Sequence, residues 1–86
     1  MTVALRGRPG NPTAVGARVT VEREHGPPQT DEVRAGGGYL SQSTAKLTFG
    51  LGEDQEATRI KVRWPDGTQT THQPPPGAKV LVLEQP

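Results

Sequence analysis

The sequence GGGYLSQSTAKLTFGLG, residues 36–52, decides how this chain folds. Three consecutive glycines open it, and glycines alternate with Phe49 and Leu51 at its end. Glycine is favoured where the backbone turns into positive φ or where another backbone comes close. Flexible linkers do not carry Tyr, Leu and Phe among their glycines. We therefore expect a hard turn and tight packing here, with a bulge or a close backbone approach at Gly50.

Short runs on both sides of this stretch alternate between apolar and polar residues, as half-buried β-strands do. The clearest runs are residues 17–24 and 58–64. Residues 29–35 are more polar, which suits an edge strand. Residues 79–84 hold four apolar residues in succession and are expected to be buried on both faces. The predicted strands are residues 2–6, 17–24, 29–35, 47–51, 58–64, 68–72 and 79–84.

Turns rich in Gly and Pro separate the predicted strands. Residues 65–67, Pro-Asp-Gly, are a strong turn signal, in which the Asp66 side chain is expected to bond to the turn backbone. No segment shows the 3.6-residue apolar period of a helix. The sequence therefore predicts an all-β fold, a small antiparallel β-sandwich or open β-barrel of about seven short strands. The residues expected to share its core are Phe49, Leu51, Val62 and Trp64.

Length and composition set further limits. The 86 residues are enough for one domain with one modest core, and we expect a monomer. A net charge of +1 provides no general attraction for nucleic acid or for an anionic membrane. The absence of cysteine excludes a disulfide framework and thiolate metal sites. No run approaches the ~20 apolar residues of a membrane-spanning helix, and residues 1–6 lack the pattern of a signal peptide.

The sequence lacks the patterns of catalytic and metal sites. His25 and His72 have no further ligands at metal-binding spacing, so we interpret both as exposed residues of a turn or a strand. Ser41 stands in GYLSQS, which is not the G-x-S-x-G pattern of a hydrolase nucleophile. A base and an orienting acid are also missing. We predict that the chain is not an enzyme and needs no cofactor.

Three blocks of the sequence carry a resemblance to a known family: residues 11–21 (NPTAVGARVTV), residues 36–52, and residues 60–67 (IKVRWPDG). In order and spacing they resemble the ASPIC/UnbV domain. Three ordered blocks are more specific than any one short motif. One difference is Thr48, where the family often has a histidine before FGLG, so a role of that histidine does not carry over.

The resemblance implies that residues 1–86 are one domain from the C-terminal part of a longer protein, secreted or part of the cell envelope. In this family the domain commonly follows FG-GAP-type β-propeller repeats, and cartilage acidic protein is one relative. No reaction is attached to the domain. The expected role is that of a non-catalytic accessory or protein-interaction module. The expected partner is the neighbouring β-propeller domain of the parent chain, or another protein.

Tyr39 is the first candidate for a binding residue. It lies beside the glycines and close in sequence to Gln42 and Arg34. An exposed aromatic ring with polar neighbours would suit a peptide or a sugar, so the alternative function is a carbohydrate-binding module. Trp64 is the other aromatic residue that a ligand could use, but its position beside Ile60 and Val62 favours the core.

A stripe of cations is the second candidate. Arg59, Lys61 and Arg63 occupy alternate positions of one predicted strand and therefore share a face. A solvated outer face is the usual reason for such a pattern. The functional interpretation is a docking surface for an acidic protein domain. Nucleic acid is less favoured because no aromatic residue interleaves the stripe.

Overall fold

The structure is a computed structural model that describes residues 1–35, 44–51 and 56–86. These residues form seven strands and no helix, so none of them belongs to a helix that could span a membrane. Each strand overlaps a predicted one, which confirms the all-β fold class. The strands are β1 (Thr2–Arg6), β2 (Arg18–Arg23), β3 (Gln29–Glu32), β4 (Ala45–Thr48), β5 (Ala57–Arg63), β6 (Gln69–His72) and β7 (Val80–Glu84).

The strands form two open sheets, packed as a sandwich, with the orders β4–β1–β7 and β3–β2–β5–β6. Four of the five strand pairings are antiparallel, as predicted. The fifth is parallel: β1 and β7 run side by side, with Thr2 opposite Val80 and Arg6 opposite Glu84. The sequence pattern does not reveal this pairing, because periodicity shows which face a residue occupies but not which strand lies beside it.

One hydrophobic core lies between the sheets, built from alternate residues of both. Trp64 is 1% exposed and Phe49 is 4% exposed, so both belong to this core as predicted. Val62 is also buried, whereas Leu51 is only partly buried and packs against the margin of the core. The predicted turn after β5 is present: Gly67 has φ of +90°, and Asp66 Oδ1 accepts the backbone N–H of Thr68 at 2.9 Å.

Two expectations about local structure are wrong. β7 is not buried on both faces, because it is an edge strand of a two-layer fold and only one of its faces meets the other sheet. Leu83 is buried, but Val80 and Val82 are 60% and 51% exposed. Gly50 forms no close backbone approach to the described residues: a Cβ placed there would meet none of their atoms within 4 Å. The register shift occurs elsewhere, between β2 and β5, where Glu22 pairs with Arg59.

A tightly hydrogen-bonded loop between β1 and β2 sets the position at which β2 begins. The Asn11 side chain bonds to Val15 twice, donating from Nδ2 to the carbonyl at 2.9 Å and accepting the N–H on Oδ1 at 3.2 Å. A Cβ at Gly7 would lie 2.0 Å from the carbonyl oxygen of Asn11, so only glycine fits there. Gly16, with φ of +98°, then leads into β2 and donates its N–H to Val33 at 2.9 Å.

Candidate partner-binding face

The outer face of the four-stranded sheet carries polar side chains from all four strands. The register places Arg18 opposite Arg63 and Thr20 opposite Lys61, so these residues share the solvent side of β2 and β5. We call this surface the basic face. Its members are Thr30 and Glu32 of β3, Arg18, Thr20 and Glu22 of β2, Arg59, Lys61 and Arg63 of β5, and Gln69 and Thr71 of β6.

At one end of the basic face, the cations are held in ion pairs. Glu22 lies between two cations: it accepts a short hydrogen bond from Arg59 Nε, and Glu22 Oε1 lies 3.6 Å from Lys61 Nζ. The Arg59 hydrogen bond is the main reason that the pKa of Glu22 is lowered from its ordinary value. The same hydrogen bond raises the pKa of Arg59. Both groups therefore stay charged around neutral pH, and Glu22 balances one of the two positive charges at this end.

The other end holds Arg18 and Arg63, with Glu32 of β3 as the cross-strand neighbour of Arg18 on its second side. Arg18 and Arg63 are direct cross-strand neighbours, both exposed, and neither forms an ion pair within the residues that the structure describes. Like charges placed directly opposite each other destabilise a sheet. A shallow depression of about 400 Å³ lies beside them, lined also by Thr20, Lys61 and Gln69. Two guanidinium groups beside hydroxyl and amide groups can bind a carboxylate through several charge-assisted hydrogen bonds.

The structure brings together only part of the predicted set. Arg59, Lys61 and Arg63 share the basic face, as their alternation requires. Arg34 follows β3, and its Nη1 lies 3.4 Å from the carboxylate of Asp31. Tyr39 and Gln42, the remaining candidates, lie outside the described residues, as do Ser41 and most of the glycine-rich stretch.

Arg18 is a residue that the sequence did not single out. Its alternation with Thr20 and Glu22 already pointed it towards solvent, so the signal for an outward cation was present. The missing fact was that β2 and β5 are neighbours with Arg18 opposite Arg63. In the sequence block GAR, residues 16–18, each of the three residues has a different structural role. Gly16 adopts positive φ, Ala17 is fully buried, and Arg18 reaches the basic face.

Trp64 is not a platform for a ligand. Its ring lies in the core, and its Nε1–H donates to Thr70 Oγ1 at 2.9 Å. Thr70 Oγ1 in turn lies 2.8 Å from His72 Nε2. His72 is therefore half-buried rather than exposed, because it lies on the inner side of β6, whereas His25 is exposed as expected. The chain of bonds from Trp64 to His72 satisfies the polar atom of a buried indole.

A second depression, of about 570 Å³, opens between the sheets at the end formed by Met1 and Phe49. Its lining combines apolar surface with two carboxylates, Glu24 and Glu56, and the cation Lys79. Glu56 Oε1 already accepts the N–H of Gly77 at 3.0 Å. This mixture of charges favours no single class of ligand. Elsewhere in the described part of the chain, no three His, Asp or Glu side chains lie close enough to hold a metal ion.

The family comparison covers almost the whole chain. Residues 7–86 match the model of the family described as ASPIC and UnbV. The chain belongs to this family. The match begins at Gly7, the glycine that the Asn11 loop requires, and includes the turn after β5. Comparisons of this ASPIC/UnbV domain with curated proteins and with solved structures found no match.

Proposed function

We propose that this ASPIC/UnbV domain is a non-catalytic accessory module that binds an acidic protein surface through its basic face. The observation that carries the proposal is the direct opposition of Arg18 and Arg63, which form no ion pair among the described residues although Glu32 is the neighbour of Arg18 on β3. At the other end of the same face, Glu22 holds Arg59 and Lys61 in ion pairs. Like charges directly opposite each other destabilise a sheet, and Glu32 is a cross-strand neighbour of Arg18 but not of Arg63, so a carboxylate bound to both arginines would relieve their repulsion.

The family supports the type of partner. The ASPIC/UnbV domains that this chain resembles commonly follow FG-GAP propeller repeats in secreted or cell-envelope proteins. A β-propeller of the same parent chain is therefore the first partner to consider. Contacts between domains of one chain tolerate polar and charged surface. Complementary charge at such a contact sets orientation and association rate more than affinity. The proposed location of the protein is accordingly outside the cytoplasm.

The carbohydrate alternative has less support. It rests on Tyr39 and Gln42, for which the structure provides no surface geometry, and sugar binding commonly needs an aromatic face. Trp64 does not supply that face, because its ring is 1% exposed. A cationic face of threonine, glutamine and arginine is better suited to carboxylates than to neutral sugars.

The test measures binding of the purified 86-residue domain to a short fluorescent Glu-rich peptide by anisotropy. The variant Arg18→Glu/Arg63→Glu reverses the two opposed cations. The control Lys46→Glu/Lys79→Glu makes the same change of net charge on residues of the three-stranded sheet and its border. We expect the first variant to lose at least about tenfold in affinity, equivalent to ~1.4 kcal/mol, and the control to lose far less. Added salt should weaken binding of the wild type.

Three results would contradict the proposal. Equal losses in the two variants would mean that net charge alone attracts the peptide. Tighter, Arg18-dependent binding of a heparin oligosaccharide than of the peptide would change the ligand class to sulfated polysaccharide. Turnover of an ester, phosphate or glycoside by the domain, abolished by one point mutation, would refute the non-catalytic role.

A further inference from the structure

Among residues 1–35, 44–51 and 56–86, β7 has a neighbouring strand on only one of its two edges. It pairs with β1 on one side and is the last strand of its sheet on the other. The carbonyl of Lys79 accepts the N–H of Thr2 at 2.8 Å, and the N–H of Gln85 donates to Arg6 at 2.9 Å. Backbone groups alternate in direction along a strand, so the odd-numbered residues of this segment face β1. The backbone N–H and C=O groups of Val80, Val82 and Glu84 therefore point to the opposite edge of β7.

The same residues carry exposed apolar surface. Val80 and Val82 are the exposed large hydrophobic residues of the described chain, at 60% and 51%. They stand on the outer face of the three-stranded sheet, in line with Ala4 of β1. No hydrogen bond from the backbone of Val80, Val82 or Glu84 joins them to another described residue outside β1. Unpaired backbone and exposed β-branched side chains therefore coincide on one strand.

The other edge strands are protected against pairing. β3 carries Asp31 and Glu32 and follows two prolines, and β6 runs into three prolines at residues 74–76. β4 has Lys46 on its exposed side. Charged residues and proline are the usual devices that keep an edge strand single. β7, with the sequence VLVLE, has no charge before its last residue, Glu84, which pairs with Arg6; Lys79 and Pro86 lie outside the strand.

We propose that β7 is a dimerisation edge, on which β7 of a second copy of this chain pairs antiparallel about a two-fold axis at Val82. The outward-pointing backbone groups are symmetric about that residue, so this register satisfies those of Val80, Val82 and Glu84 in both copies. The product is a continuous sheet of about six strands, made of two three-stranded sheets.

Self-complementarity favours a second copy over an unrelated strand. On the outer face, Val82 meets Val82 of the second copy, and Val80 meets its Glu84. On the inner face, the half-buried Leu81 lies opposite Leu83 of the second copy, which extends the core across the junction. The two Glu84 side chains lie at opposite ends of the paired strands, and each already has Arg6 at 3.5 Å. No like charges oppose each other.

The contact is short, so we expect a dimer that dissociates on dilution. One strand of five residues buries less than the ~1,200–2,000 Å² of a standard protein interface. The monomer expected from the sequence is then the species at low concentration. This inference does not depend on the basic face, which lies on the other sheet.

Sedimentation equilibrium of the full 86-residue chain over a wide concentration range tests the proposal. We expect a reversible monomer–dimer equilibrium that Val82→Lys shifts to monomer, because two lysines would face each other on the axis. Gln73→Lys is the control, since it adds the same charge at an exposed position just past β6. Val82→Glu alone should also be monomeric, but an equimolar mixture of Val82→Lys and Val82→Glu should dimerise.

Amide hydrogen exchange provides a second readout. On raising the concentration, the amides of Val80, Val82 and Glu84 should gain protection, while those of Leu81 and Leu83 are protected already by β1. A chain that stays monomeric throughout the range would overturn the proposal. So would equal weakening by Gln73→Lys, or a mixture of the two Val82 variants that fails to associate. Open-ended fibres instead of dimers would exclude the closed two-fold pairing.

Discussion

The two sheets share one core but differ in how fully polar side chains cover the faces that they present to solvent. The outer side of the four-stranded sheet is charged, and Glu22 holds two of its cations in ion pairs. The outer side of the three-stranded sheet carries Lys46 and the Arg6–Glu84 ion pair, but it also exposes Val80 and Val82 at an edge that no other described strand pairs with. A sheet with one solvated face ordinarily alternates apolar with polar residues. β5 follows that rule and β7 departs from it, and the departure marks the strand on which burial is incomplete in the single domain.

The largest expected effect concerns the core that joins the sheets. Phe49→Ala removes a ring that is 4% exposed next to β4, and we expect a loss of about 3–5 kcal/mol in the free energy of unfolding. Leu51→Ala, at the margin of the core, should lose clearly less because its side chain is only partly buried. Chemical denaturation measures both. An unchanged denaturation midpoint for Phe49→Ala would mean that the Phe49 ring does not point into the core between the sheets.

A middle-sized effect separates the inner and outer sides of the four-stranded sheet. Thr70→Val keeps the shape of the side chain but leaves the buried Trp64 Nε1–H without its acceptor, at a cost of about 1–3 kcal/mol. Thr71→Val, the next residue on β6, points to solvent and should change stability by less than about 0.5 kcal/mol. Denaturation followed by tryptophan fluorescence compares the two variants. Equal effects would show that the hydrogen bond does not stabilise the fold.

The smallest expected effect tests the ion pairs of the basic face. Because the pKa of Glu22 is lowered in the folded state, chiefly by Arg59, its stabilisation is present above the ordinary carboxyl pKa of about 4.3. That stabilisation is lost as the pH falls through the lowered value. Thermal melting of wild type and Glu22→Gln should therefore show a small difference at neutral pH that disappears in acid.

Arg59→Gln supplies the control background for this measurement. Without its main hydrogen-bond partner, Glu22→Gln should produce a much smaller pH-dependent difference, as a double-mutant cycle would show. Salt should reduce the difference as well, because both side chains are partly exposed. A difference that persists unchanged in strong acid would mean that Glu22 stabilises the fold by packing and not by its charge.

The sequence predictions were correct where the alternation of apolar and polar residues shows which face of a strand each residue occupies. Alternation placed Val62 and Trp64 inside and Arg59, Lys61 and Arg63 outside, and the structure agrees. It failed for β7, because a run of apolar residues does not distinguish a central strand from an edge strand. It also did not show that His72 is half-buried, because the polar strand β6 has no apolar residues to indicate which of its faces is the inner one. The sequence predicted part of the candidate site: it indicated the three cations of β5 but not Arg18, which lies on the neighbouring strand β2.

The sequence by itself determined the strand positions, the turn at residues 65–67 and the inner and outer sides of β2 and β5. These features depend on local chemistry: the two-residue period of a strand, and the backbone preferences of proline, aspartate and glycine. Only the tertiary structure decided that Arg18 faces Arg63 and that β7 ends its sheet beside β1. Both depend on which strands become neighbours, and that is settled by packing between residues far apart in the chain rather than by any local pattern.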